Sequence, residues 1–66
     1  MMQYEDERGA VYYIAYIGRS RWGIYRDTEE ESGQMCEYPF FSGLAAQLEL
    51  DEKAKRYGWR EAKPAV

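Results

Sequence analysis

The chain reads as an α+β domain: a three-stranded antiparallel meander with one C-terminal helix packed on one face (β-β-β-α). Three observations predict it. Ala10 to Asp27 is dense in β-branched and aromatic residues and is interrupted once, at Gly18-Arg19-Ser20-Arg21, the pattern of two strands joined by a short turn. Gln34 to Phe41 resumes a strand pattern after the polar stretch DTEEESG. Ser42 to Tyr57 runs from a serine suited to N-capping to a glycine suited to a helix stop, Gly58.

A chain of 66 residues is expected to form a single small domain near the lower size limit for an independent core. Its one cysteine and lack of histidine exclude an internal disulfide and a structural zinc site. Stability must therefore come from packing or from self-association, and the eleven aromatic rings supply large buried areas for packing. The formal net charge of −3 argues against nonspecific nucleic-acid binding, which needs phosphate neutralisation by lysine and arginine. It suits a basic partner instead. With no apolar run of spanning length and no signal-peptide pattern, no membrane partner is expected and the expected location is cytoplasmic, with Cys36 reduced.

Taken in order, residues 1–9 hold Glu5, Asp6, Glu7 and Arg8 and are expected to be a loose, solvated terminus. In the first hairpin, a turn centred on Arg19-Ser20 would pair Ile17 with Trp22 and Ala15 with Ile24. Strict alternation then puts Val11, Tyr13, Ala15, Ile17, Trp22 and Ile24 on the core face. It leaves Tyr12, Ile14, Tyr16, Gly23 and Tyr25 on the other, where tyrosines keep a packed ring and a wet hydroxyl. Glu29, Glu30 and Glu31 form an exposed loop. In the third strand, sparing Glu37 an unpaired burial puts Cys36, Tyr38 and Phe40 inward and Met35 outward, and Pro39 marks an edge or an end. The helix offers two apolar stripes, Leu44 with Leu48, and Ala46, Leu50, Ala54 and Tyr57. One must pack on the sheet and the other is free for an edge or a partner. Residues 60–66 are expected to be loose.

Catalysis is not expected. Without histidine the commonest general base and metal ligand is missing, and Cys36 has no thiolate-stabilising neighbour in the sequence. The acidic run lacks the spacing of a calcium loop, and no phosphate-binding glycine motif is present. No metal and no cofactor is expected. Two surface features remain. The Tyr12, Tyr16, Tyr25 face has the aromatic character of an interface. Arg19, Arg21 and Arg26, with no acid between them, suit either a protein hot spot or phosphate contact.

The run Trp22-Gly23-Ile24-Tyr25, then Phe40-Phe41-Ser42 and Ala45-Ala46, resembles the small ββ(β)α domains at the N-termini of phage-type integrases and in AP2-like DNA binders. The resemblance spans roughly Tyr12 to Gly58. It implies a sheet entering the major groove, with Arg19, Arg21, Trp22, Tyr25 and Arg26 as contacts. The chain departs from that pattern in its acidity, in Glu29 to Glu31 between the second and third strands, and in the absence of Lys and Arg from the third. As a class, an acidic single-domain chain without catalytic residues is also similar to the small inhibitors of phages and mobile elements, of which the anti-CRISPR proteins are one group. That resemblance implies a non-enzymatic protein-binding module blocking a surface of a host protein or protein–nucleic-acid complex. Tyr12, Tyr16 and Tyr25 would be anchors, and Glu29, Glu30 and Glu31 would compete for a basic groove. The competing expectations are a DNA-binding accessory domain using Arg19, Arg21 and Arg26, and a homodimer built through the tyrosine face or the spare helix stripe.

Overall fold

The computed structural model describes residues 2–30, 32–34 and 39–62. Along them run β1 (Gln3–Glu5), β2 (Val11–Gly18), β3 (Arg21–Asp27), β4 (Ser32–Gln34), α1 (Gly43–Tyr57) and β5 (Arg60–Ala62). The strands form one antiparallel sheet in the order β4-β3-β2-β1-β5, and α1 packs across β2 and β3. The class is α+β. The meander β2-β3-β4 is the one read from the sequence, and two further strands extend it. Residues 1–9 and 60–66 were expected to be loose, yet Gln3–Glu5 and Arg60–Ala62 pair with each other, and β1 also pairs with β2. The third strand is described at its two ends. It pairs at Ser32–Gln34, and Phe40 returns to β3 only through an isolated bridge to Trp22, with amide–carbonyl bonds of 2.7 and 2.8 Å. The expectations for Met35, Cys36, Glu37 and Tyr38 fall outside the described residues.

The β2–β3 turn explains the largest departure. Arg19 and Ser20 both have positive φ, 54° and 60°, the backbone of a two-residue type I′ turn whose twist matches the strands it joins. Its centre lies where the sequence places it. One residue earlier, however, the pairing slips: Gly18 faces Arg21, but Tyr16 faces Trp22, so Ile17 is bulged out. A one-residue slip turns every side chain of a strand over. Tyr12, Ile14 and Tyr16 therefore share a face with Arg26, Ile24 and Trp22, whereas Val11, Tyr13 and Ala15 lie on the reverse with Asp27, Tyr25 and Gly23.

The helix settles which face is interior. Ser42 caps it, its hydroxyl accepting the Ala45 amide at 3.0 Å. Gly58, at φ 73°, ends it in the left-handed conformation that costs glycine least, and the Gly58 and Trp59 amides both donate to the Ala54 carbonyl. Ala46, Leu50 and Ala54 are buried against Ala10, Tyr12, Ile14 and Ile24. The small residues at 46 and 54 let the helix approach closely, and Gly43 does the same for the Trp22 ring, which would stand 3.3 Å from a β-carbon there. Trp59 then folds over the core and stacks on Tyr12, centroids 3.8 Å apart and planes within 8°.

Candidate functional site

The proposed tyrosine face does not exist as one surface. Tyr12, 5% exposed, is part of the core under α1. Tyr16 lies on the same side but beyond the covered zone, and Tyr25 is on the reverse side, stacked on Tyr13 at 5.8 Å. The bulge at Ile17 is the cause, because it moves Tyr12 to the inner face. The arginine trio is dispersed too. Arg19 is in the turn, whereas Arg21 and Arg26, five residues apart on β3, point to opposite faces. Arg26 donates from Nε to the Tyr12 hydroxyl, 3.3 Å. Glu29 and Glu30 line a shallow cleft with Arg8, Arg26 and Thr28, so basic groups stand beside these acids. Glu31 lies outside the described residues.

Two ends of the molecule emerge from these placements. At one, Asp6 accepts the Tyr12 hydroxyl at 2.7 Å and the amides of Arg8 and Ala10 at 2.8 and 3.0 Å. The Tyr12 hydrogen bond foremost, with the two amides, holds the Asp6 carboxyl below the usual aspartate range. Burial, then the Asp6 bond, pushes the Tyr12 phenol up. A cleft beside this network is lined by Asp6, Glu7, Arg8, Tyr57, Gly58 and Trp59, at the carbonyl end of α1. Asp6, the Tyr12 hydroxyl and the two loop amides are bonded to one another, and their arrangement is that of a structural clasp.

The opposite end is built differently. There the β2–β3 turn meets the start of α1 through Trp22, which lies against Gly43, bridges to Phe40 and meets Tyr16 edge-on at 5.3 Å. Around it large apolar side chains face solvent: Tyr16 is 58% exposed, Phe41 78%, Leu44 72% and Leu48 57%. Ile17, expelled from the pairing, is exposed as well. Phe41 stands just before the cap, where an apolar residue often staples back on the first turn; its exposure shows that it does not. Leu44 and Leu48 are exposed because the opposite stripe of α1 takes the core, and because β1 pairs only with Val11 and Tyr12 of β2, stopping short of this end. Helix bonds fix the direction of the stripe. Asp51 and Gln47, which share its flank, reach Tyr4 at 2.6 Å and the Met2 carbonyl at 3.1 Å, so Leu44 and Leu48 overhang the β1 side. Of this cluster the sequence reading singled out Tyr16 and the Leu44–Leu48 stripe. Ile17 was assigned to the core face, from which the bulge removes it, and Phe41 was named only as part of the third strand and its motif, with no exposed role.

Among the described residues no group of carboxylates and thiols is arranged to hold a metal ion. No helix among them is long and apolar enough to cross a membrane. The chain matches no family model, no curated protein and no solved structure.

Proposed function

We propose that the chain is a non-enzymatic protein-binding module that docks through the apolar end formed by Tyr16, Ile17, Phe41, Leu44 and Leu48. The observation that carries this reading is the exposure of Phe41 and Leu44, 78% and 72%, beside Leu48 on a helix whose other stripe already fills the core. Large apolar side chains are costly to leave in water, and several of them exposed on so small a domain support an interaction site. Leu44 and Leu48, four residues apart on one face of α1, with Phe41 just before its cap, suit insertion into a complementary groove. In this reading the inhibitor role suggested by class resemblance acts by occupying a partner's apolar surface. Glu29 and Glu30, with Arg8 and Arg26 beside them, are less suited to compete for a basic groove. The DNA-binding alternative draws less support, because its three arginines do not share a surface.

Site-specific photo-crosslinking tests the proposal. A crosslinking side chain at position 44 or 48, in cells making the protein, is expected to yield a discrete protein adduct, and one at position 25 on the reverse of the sheet is not. Adducts only from position 25 would place the interface on the tyrosine pair and overturn the assignment.

A further inference from the structure

We infer that the occupant of this surface is a second copy of the chain, the two α1 helices packed antiparallel about a two-fold axis with Leu44 of each opposite Leu48 of the other. The inference rests on the docking surface proposed above and names its partner.

The first argument is size. Ala46, Leu50 and Ala54 turn toward the sheet. At 3.6 residues per turn, Leu44, Ala45 and Leu48 then point away from it, and all three are exposed. Phe41 is exposed just before the cap. Two copies can therefore meet helix on helix, with both sheets outside. These four residues leave about 500 Å² per copy in water, so pairing them removes about 1,000 Å², the least that a specific interface needs. The fold also gains from such a partner. Among the described residues seven hydrophobic side chains are buried, three of them alanines, and the sequence provides neither a disulfide nor a zinc site. For so small a core, association is the remaining means of reinforcement.

The second argument is charge along the helix. No charged residue occurs from Pro39 to Leu48, so the centre of the pair brings no like charges together. Beyond it come Glu49, Asp51, Glu52, Lys53, Lys55 and Arg56. Glu49 is paired with Lys53 at 3.7 Å, and Asp51 accepts from Tyr4 and Gln47. With Leu44 opposite Leu48 in an antiparallel pair, Glu49 comes level with Gly43 of the other copy and the exposed Glu52 level with Phe40. Acids of one copy thus flank the positive pole of the other helix, whose first turn carries no acid of its own. Arg19, in the turn at that end, has the matching sign. Arg21 is on the reverse of the sheet from Trp22 and takes no part, and Lys55 and Arg56 fall past the start of the other helix. A parallel pair would set pole against like pole. The surface is self-complementary in the antiparallel sense, as a two-fold interface requires.

Sedimentation equilibrium of the full chain is the test. It is expected to show a monomer–dimer equilibrium with a Kd of about 10–100 µM, in keeping with the small area. Leu44→Gln/Leu48→Gln should leave only monomer, with unchanged far-UV circular dichroism. Glu52→Lys should weaken the dimer about threefold or more at low salt, because the change acts twice per dimer. A chain that stays monomeric to about 1 mM would overturn the second copy; if a crosslinker at position 44 then gives an adduct heavier or lighter than two chains, the docking surface still stands. A dimer indifferent to Leu44→Gln/Leu48→Gln would overturn this surface as its seat. A dimer that needs the leucines but is unchanged or tightened by Glu52→Lys would overturn the antiparallel arrangement.

Discussion

Single hydroxyl groups tie the strands to the helix and the loops. The Tyr4 phenol donates to Asp51 Oδ1 at 2.6 Å, and Gln47 Nε2 shares the same oxygen at 2.9 Å while reaching the Met2 carbonyl. The bond to Asp51 is the main cause that pushes the Tyr4 pKa up to about 12, with desolvation and the Asp51 charge behind it. A raised phenol pKa contributes stability that is fully present below the unfolded value of about 10 and is lost as pH rises through the folded one. Tyr4→Phe should therefore lower stability at neutral pH but flatten its decline between pH 10 and about 12. Denaturant melts across that window check it, and an unchanged slope would show that the bond does not contribute. Tyr12 and Asp6 work at the other end with the opposite sign for the carboxylate, whose lowered pKa links its stabilising effect to pH values above the ordinary aspartate range.

Elements explain both what was legible in the sequence and what was not. The helix limits were legible, because caps are chemical: Ser42 supplies an acceptor and Gly58 a left-handed residue, and both do so. The turn was legible for the same reason, since Gly-Arg-Ser-Arg can hardly continue either strand. The register was not. A bulge has no composition of its own, and skipping Ile17 exchanged the faces of β2 and sent Tyr12 into the core. The extra strands were hidden by their polarity: Gln3-Tyr4-Glu5 and Arg60-Glu61-Ala62 bury little by themselves and hold through mutual pairing and the Arg60–Glu5 ion pair at 2.6 Å. The turn also carries a prediction. Ser20, at φ 60°, occupies a conformation that disfavours any side chain by about 1–2 kcal/mol. Ser20→Gly keeps the amide that donates to the Tyr16 hydroxyl and should stabilise the domain by about 1 kcal/mol, raising its thermal midpoint by about 4–8 °C. A lowered midpoint would mean that the serine side chain supports the turn.

At the scale of the whole molecule, 32 Å at its longest, the helix runs from an apolar end to one closed by hydrogen bonds and stacked rings. The second end closes the domain. Trp59 lies on Tyr12, Tyr57 tilts against Trp59 at 5.4 Å, and β5 follows at once to complete the sheet on β1. Trp59→Ala is therefore expected to cost about 2–3 kcal/mol, a large share of what so small a core has to spare, and thermal denaturation should show it. A loss within about 0.5 kcal/mol, the range of ordinary surface changes, would make β5 an appendage rather than a closure.

The pairing of β1 with β5 has a mechanical corollary. Gln3 faces Ala62 and Glu5 faces Arg60, so the two segments leave the sheet from the same end of their ladder. Tension applied through them meets the rungs one after another, as in a zipper, instead of shearing all of them together. Traction by an unfoldase or a pulling instrument would peel the domain open at low force, beginning at this seam, and the next contact to give way would be the indole resting on Tyr12.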